Sequence, residues 1–388
     1  MMTQRTGPDV VRPPASPIVA DWIQGLRPYE PGKPIEEVER ELGVVGALKL
    51  ASNENAWGSS PAALDAANNA LAKSHLYPDA ACWSLRDALA TRLGIGMGEL
   101  VIGNGSNELI GFLVRALVKP GQSVLSSAGS FIAYKLSTLA HGRRFVEAPL
   151  GADLGYDLDA LVAAADATTK LVFIANPNNP TGTLLGRAAL LRFFEALDRK
   201  CAGNPDGAPI VVMDEAYVEF IAPDRDDVAQ GLELYRARPR VVLLRTFSKA
   251  YGLAALRVGY AVSEPAIADY LNRVRDPFNV STVGQAAALA ALKDEAWMRG
   301  TVAETLAERT RVSAALADLG LGVTPSQANF VLIDLGRDAR GVNDLLMRRG
   351  IIARPMGPAG LPHHLRLTIG RPHENDKALA ALAAVLGG

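Results

Sequence analysis

Short apolar runs alternate with helical stretches along the chain, and this alternation restricts the possible folds more than any other feature. Five runs are mostly aliphatic and lack polar alternation: Leu100–Ile102, Ser123–Leu125, Leu171–Ile174, Ile210–Met213 and Val241–Leu244. Strands buried on both faces have this character, which is typical of a parallel sheet. Apolar residues at helical spacing predict helices over Pro61–Lys73, Trp83–Leu93, Asn107–Val118 and Ala188–Leu197. The alternation predicts an α/β domain whose ligands bind beyond the carboxyl ends of the strands.

The last third of the chain has a different pattern. Ala- and Leu-rich stretches at Val280–Leu292 and Ala296–Leu319 predict helices, and Ala328–Leu335 and Leu365–Ile369 predict strands. We expect a smaller α+β domain, because 388 residues exceed what one hydrophobic core usually serves. The predicted division is an N-terminal arm with part of the small domain over 1–50, a large cofactor-binding domain over 51–278 and a small C-terminal domain over 279–388.

Composition and charge argue against several classes of function. Lys and Arg total 40 and Asp and Glu total 41, so no net basic field attracts nucleic acid or an anionic membrane. Cys82 and Cys201 have neither metal-ligand nor disulfide-framework spacing, and the five histidines form no metal-ligand pattern. No apolar run approaches the roughly 20 residues that cross a bilayer, and no secretory signal is recognised at the N-terminus. We expect a cytoplasmic protein without bound metal.

One lysine follows a predicted strand within a segment that contains Ser and Gly. Lys249 lies directly after Ser248, and Arg257 follows eight residues later. A lysine amine can form a Schiff base with an aldehyde. The hydroxyl of Ser248 and the planar guanidinium of Arg257 can bind a nearby phosphate. This combination favours a covalent cofactor site over a solvated surface lysine.

Further polar residues follow or lie within predicted strands. Asp214 ends one apolar run, where a carboxylate suits a metal, a cation or a ring nitrogen, and Asn179 lies in a turn segment after another run. Gly103–Glu108 lies between a strand and a helix, where free backbone N–H groups form an anion site. Glu108 replaces the third glycine of the dinucleotide fingerprint, so that motif is absent. Arg366 lies between apolar residues, where a charge is costly unless it meets an anion.

The segment Ser248–Tyr260, S-K-A-Y-G-L-A-A-L-R-V-G-Y, resembles the lysine motif of fold-type I, class I and II aminotransferases that use pyridoxal 5'-phosphate (PLP). The resemblance extends from about Leu26 to Gly370 and is greatest to the histidinol-phosphate aminotransferases. Leu26–Pro34, Ser52–Asn55 and Arg354–Met356 carry that closer similarity. It implies a large domain with a mostly parallel seven-stranded sheet between helices, a smaller α+β domain and a homodimer. The implied reaction transfers an amino group from histidinol phosphate to 2-oxoglutarate, giving glutamate, in histidine biosynthesis.

The resemblance also implies a role for each matching residue. The ring and reacting atoms of PLP would be bound by Lys249, Asp214, Tyr217, Asn179 and the stacking ring of Phe131. The PLP phosphate would be bound by Ser106, Asn107, Ser248, Arg257 and Tyr77 of a partner subunit. The substrate would be bound by Tyr29, Arg354 and Arg366. Ser127–Ser130 and Ala359 differ from the family's usual proline-containing loop and aromatic residue.

Three alternatives remain open at the level of sequence. The same site suits an aromatic amino acid, because a carboxylate can occupy the Arg366 pocket as well as a phosphate. Threonine-phosphate decarboxylases share the fold and many motifs, but break the bond between Cα and the carboxylate. A regulatory protein that retains PLP without turnover is a third possibility, which the presence of Lys249, Asp214, Tyr217 and Asn179 argues against.

Overall fold

A computed structural model describes residues 18–28 and 32–387. The strands are β1 (Leu48–Lys49), β2 (Leu100–Gly103), β3 (Ser123–Ser127), β4 (Arg144–Ala148), β5 (Thr169–Ala175), β6 (Ile210–Asp214), β7 (Val241–Thr246), β8 (Gly259–Val262), β9 (Gly322–Thr324), β10 (Phe330–Asp334), β11 (Ile351–Ile352), β12 (Arg354–Pro355) and β13 (His364–Thr368). The helices are α1 (Asp21–Gln24), α2 (Ile35–Leu42), α3 (Pro61–Leu71), α4 (Trp83–Leu93), α5 (Ser106–Leu117), α6 (Ile132–Ala140), α7 (Leu158–Ala164), α8 (Arg187–Lys200), α9 (Gly231–Ala237), α10 (Pro265–Val274), α11 (Thr282–Lys293), α12 (Glu295–Asp318), α13 (Ala339–Met347) and α14 (Pro372–Leu386).

Seven strands form the large sheet, in the order β2-β8-β7-β6-β5-β3-β4. β8 runs antiparallel to both of its neighbours and the other adjacent pairs are parallel, which confirms the expected mostly parallel sheet. The five apolar runs of the sequence all lie in its strands and are buried. Two strands of this sheet are not predicted by the sequence pattern: β4, an edge strand with polar and partly exposed residues, and β8, which begins inside the glycine-containing lysine motif.

Helices cover both faces of the large sheet. Neighbouring residues of a strand point to opposite faces, so each buried strand contributes side chains to two cores. Val172 packs into a core with α3, α4, α8 and α11, whereas Leu171 and Phe173 pack into a second core with α5, α6 and α10. The continuous apolar character of these strands follows from this double burial. Polar side chains are therefore concentrated where the strands end.

A second, antiparallel sheet has the order β12-β13-β10-β9, and α12, α13 and α14 contribute to the core beside it. β1 pairs in parallel with β11, so a segment near residue 50 joins this α+β region. Helix α11 packs mainly against α3, and Ala287 and Ala291 belong to the core of the large sheet. The domain boundaries at 51 and 279 remain predictions.

Within residues 18–28 and 32–387, none of the helices has both the length and the apolar character needed to cross a membrane. The same residues contain no group of three or more His, Cys, Asp or Glu side chains placed to hold a metal ion. Residues 1–17, with which the predicted N-terminal arm begins, lie outside the described part of the chain.

Candidate active site

A cavity of about 830 Å³ lies between the two sheets. One side, the large-sheet wall, consists of Asn179, Asp214, Tyr217 and Lys249, which end or follow β5, β6 and β7. The opposite side, the small-sheet wall, consists of Arg354, the turn Gly357–Gly360 and Arg366, which lie on or between β12 and β13. Because β5, β6 and β7 are adjacent and parallel, their carboxyl ends bring residues far apart in sequence to one edge.

Lys249 lies in the turn that follows β7. Its Nζ donates to the carbonyl oxygens of Ser52, at 3.2 Å, and Asn53, at 3.0 Å. Burial, assisted by the positive charge of Arg366, lowers the pKa of Lys249 to about 8. A lysine with this pKa provides a neutral amine at moderate pH, and such an amine can act as a nucleophile or a base.

Asp214 is the last residue of β6 and is 4% exposed. Its Oδ2 accepts a hydrogen bond from the Tyr134 hydroxyl at 2.8 Å, and its Oδ1 accepts one from the Ala216 N–H at 3.2 Å. Burial raises the pKa of Asp214 to about 6, although the Tyr134 hydrogen bond opposes this change. The carboxylate is thus charged near neutral pH and suits a cationic group brought into the cavity.

Arg366 joins the two walls. Its Nη1 donates to Oδ1 of Asn179 at 2.5 Å, and its Nη2 donates to the carbonyl oxygen of Ala51 at 2.7 Å. The guanidinium carbon lies 5.2 Å from the centre of the Phe330 ring, which in turn meets the Tyr217 ring edge to face at 5.3 Å. These contacts hold the guanidinium in one orientation, and Arg354 lies opposite Arg366 in the pairing of β12 with β13.

The N-terminus of α5 forms the anion-binding end of the cavity. Ser106 and Asn107 open the helix, where the first N–H groups have no intrahelical partner. Gly105 has φ +76°, and a Cβ there would lie 2.3 Å from Nη2 of Arg257. Arg257 itself has φ +55°, and its Nη1 lies 3.4 Å from Oγ of Ser248. A left-handed conformation at a non-glycine residue costs roughly 1 kcal/mol or more, and here it brings a guanidinium to the helix terminus.

The half-buried Phe131 precedes α6 at the side of the cavity, after the Ser127–Ser130 segment. Hydrogen bonds hold this segment, which lacks a proline. Oγ of Ser126 donates to Oγ of Ser130 at 3.1 Å, and Oγ of Ser127 donates to the Ala148 carbonyl at 3.3 Å. Ala359 lines the same cavity from the small-sheet wall, where its small side chain leaves space.

The cavity thus contains all of the predicted site residues except Tyr29 and Tyr77. Tyr29 lies outside the described residues. Tyr77 is 82% exposed, does not line this cavity, and stacks on Phe278 with ring centres 4.7 Å apart.

Two residues at the site received no individual role from the sequence. Asn53 donates from Nδ2 to the Tyr217 hydroxyl at 2.9 Å. The sequence indicates Asn53 only as part of the segment Ser52–Asn55, which carries the resemblance to the family. Tyr134 contacts Asp214, which lies 80 residues later in the chain. No local sequence pattern signals a contact over that separation.

Comparison with known proteins identifies the family. The model of aminotransferases of class I and II matches residues 45–382, and the chain belongs to this family. Histidinol-phosphate aminotransferase of Anaeromyxobacter sp. (strain Fw109-5) is 50% identical over 96% of this chain and 100% of its own length. Histidinol-phosphate aminotransferase 2 of Methylococcus capsulatus is 45% identical over 94% of this chain and 97% of its own length.

The fold is also shared with solved structures. The crystal structure of histidinol-phosphate aminotransferase from Sinorhizobium meliloti, in complex with PLP, has a TM-score of 0.85 and 34% identity, covering 96% of this chain and 98% of the other. The predicted fold-type I architecture and the prediction of an aminotransferase are therefore confirmed. Family and structural neighbour together imply PLP as the cofactor.

Proposed function

We propose that the chain uses PLP bound to Lys249 to transfer the amino group of histidinol phosphate to 2-oxoglutarate. The observation that carries the proposal is the row of Asn179, Asp214 and Lys249 at the ends of adjacent strands, facing Arg354 and Arg366 across one cavity. The names of relatives with 45–50% identity support this choice of substrate.

The residues of the cavity fit PLP at both ends. At one end, the α5 N-terminus, Arg257 and Ser248 provide donors for a phosphate, and the lack of a Cβ at Gly105 makes room for the Arg257 guanidinium. At the other end, the buried carboxylate of Asp214 suits a protonated ring nitrogen. The volume of about 830 Å³ accommodates a cofactor together with a substrate.

Each residue of the large-sheet wall then has a role. When bound, PLP supplies a ring that accepts electrons from the Cα–H bond of the substrate. Asp214 keeps the proton on the ring nitrogen. Tyr217 and Asn179 bind the phenolic oxygen, and Asn179 uses Nδ2 because its Oδ1 accepts from Arg366. Phe131 lies against the ring face.

Lys249 moves the proton in this scheme. Its amine accepts the proton released from Cα and delivers it to the C4' position of the cofactor. The lowered pKa of about 8 suits this task, since a general base works best near the pH of the reaction. The carbonyl oxygens of Ser52 and Asn53 can orient Nζ whenever the amine is not bound to PLP.

Arg366 and Arg354 bind the anion of the substrate. The donors of a guanidinium match a phosphate or a carboxylate in two-point geometry, so one site can serve both histidinol phosphate and glutamate. The contacts of Arg366 with Asn179 and Ala51 fix its plane in advance. A role for Tyr29 beside these arginines remains a prediction.

A screen of half-reactions tests the substrate. The PLP-loaded protein is mixed separately with histidinol phosphate, histidinol, phenylalanine, glutamate and threonine phosphate, and the change in visible absorbance is timed. We expect histidinol phosphate to react fastest, with histidinol as the matched control for the phosphate. Equal rates with phenylalanine and histidinol phosphate would contradict the proposed substrate, and release of CO₂ from threonine phosphate would indicate decarboxylation instead.

We also propose a cytoplasmic homodimer in which Tyr77 reaches the PLP phosphate of the partner subunit. Asn107 and Arg257 are exposed in the single chain, so the anion-binding end has room for a further donor. The stacked rings of Tyr77 and Phe278 form an exposed aromatic pair, and buried free Cys82 and Cys201 fit a reducing compartment.

Mixed dimers provide the test for Tyr77. A dimer of Lys249→Ala with Tyr77→Ala chains has one site that contains both Lys249 and Tyr77. We expect the mixture, after subunit exchange, to regain activity that neither variant has alone. A mixture no more active than the sum of its components would show that Tyr77 does not act across an interface.

A further inference from the structure

Tyr134 is buried at the cavity, and the scheme above gives it no role. It lies in α6, and its hydroxyl donates to Oδ2 of Asp214 at 2.8 Å. Oδ1 of the same carboxylate accepts the Ala216 N–H at 3.2 Å. Each oxygen of Asp214 therefore has a protein donor, and Tyr134 provides the side-chain donor.

Packing fixes the position of this hydroxyl. The Tyr134 ring stacks on Phe173 of β5, with ring centres 4.5 Å apart and planes at 10°. It also meets Phe131 edge to face, at 5.6 Å and 90°. A ring held on two sides keeps its hydroxyl at one place. The same side chain thus contacts the carboxylate and the ring of Phe131.

The direction of the hydrogen bond is set by burial. Burial, followed by the charge of Asp214, raises the pKa of Tyr134 well above its ordinary value, so the phenol keeps its proton and donates. A donor to a carboxylate favours the charged form of that carboxyl group. The charged form is the one that pairs with a protonated ring nitrogen.

We propose that Tyr134 is a positioning residue for Asp214. The Tyr134 hydroxyl holds Oδ2 of Asp214 in place and keeps the carboxylate charged for the ring nitrogen of PLP. This inference rests on the proposed function, because it requires PLP in the cavity. It extends the site to a residue on α6 that acts through Asp214.

The Tyr134→Phe variant removes the hydroxyl and keeps both ring contacts. Two quantities are measured in the full chain as functions of pH: the affinity for PLP, and kcat/KM at saturating PLP. Loss of the donor raises the pKa of Asp214, so its charged form is lost at a higher pH as the solution is acidified. We expect the acidic midpoint of both profiles to move upward by about one pH unit.

A second buried phenol provides the matched control. Tyr156 is also buried, and its hydroxyl accepts from the Ala175 N–H at 3.0 Å. Tyr156→Phe should lower thermal stability to a similar extent while leaving the acidic midpoints in place. An equal midpoint shift in this variant would overturn the proposal, because loss of any buried hydroxyl would then have the same effect.

A double variant tests whether Tyr134 acts through Asp214. In an Asp214→Asn background, removal of the Tyr134 hydroxyl should leave the pH profile of kcat/KM unchanged. A further shift in the double variant would overturn the proposal, as would wild-type midpoints in Tyr134→Phe alone. A wild-type chain that binds no PLP at any pH would instead refute the proposed function itself.

Discussion

The two walls of the cavity differ in how the chain builds them. Each residue of the large-sheet wall ends or closely follows a parallel strand, so the sheet alone determines which side chains meet. The small-sheet wall depends on the position of a separate antiparallel sheet, and Arg366 reaches the large-sheet wall through Asn179. In the proposed function, the large-sheet wall performs the bond chemistry and the small-sheet wall selects the substrate.

Replacement of Lys249 by Ala is expected to have the largest effect. The change removes the amine that moves the proton, and positioned acid–base groups contribute about 10²–10⁴-fold to rates. We therefore expect kcat to fall ~100- to 10,000-fold, measured by product formation at saturating substrate. The variant should still bind PLP weakly but without a covalent bond. As a control, Lys119→Ala alters an exposed lysine paired with Asp206 and should keep full activity.

Replacement of Asp214 by Asn tests a second residue of the large-sheet wall. The change keeps the shape of the side chain but removes the charge that holds the proton on the ring nitrogen. Loss of one preorganised electrostatic group typically costs about 10²–10³-fold in kcat. We expect a loss in that range with a smaller change in KM, measured by steady-state kinetics. A loss confined to KM would show that Asp214 binds substrate instead of supporting the bond chemistry.

The sequence predicts much of the large-sheet wall because its signals are local. Asp214 directly follows one apolar run, Lys249 lies five residues after another, and buried parallel strands fix where such residues meet. The fold class follows from the same alternation. Edge strand β4 was missed because a partly exposed strand lacks a continuous apolar run, and β8 because it starts at glycine.

The long-range contacts of the site could not be predicted from the sequence. The pairs Arg366–Asn179 and Tyr134–Asp214 join residues 187 and 80 positions apart, and each depends on how two elements pack. An arginine between apolar residues indicated an anion site, but did not indicate which side chain would hold the guanidinium. Resemblance to a family supplied roles for Arg354 and Arg366 that residue patterns alone do not give.

Replacement of Arg366 by Lys tests the small-sheet wall and should have an intermediate effect. Lysine keeps the charge but loses the planar set of donors that binds both an anion and Asn179. Hydrogen bonds to charged groups contribute about 1.5–3 kcal/mol, so kcat/KM for histidinol phosphate should fall about 10- to 100-fold. The fall should be smaller for histidinol, which has no phosphate. Arg371→Lys, at an exposed arginine nearby in sequence, is the matched control.

The smallest expected effect concerns the influence of Arg366 on the pKa of Lys249. Only the neutral amine attacks an aldehyde, so the rate at which PLP joins the PLP-free protein should rise with pH and level off above the Lys249 pKa of about 8. With an ordinary lysine, this rate would continue to rise about tenfold per pH unit to about pH 10.

Since the charge of Arg366 helps to lower the Lys249 pKa, Arg366→Gln should move the plateau to higher pH by less than about one unit. Stopped-flow absorbance measures both profiles. An unchanged plateau in Arg366→Gln would mean that the charge of Arg366 does not lower the pKa of Lys249, and that the two walls act independently in this respect.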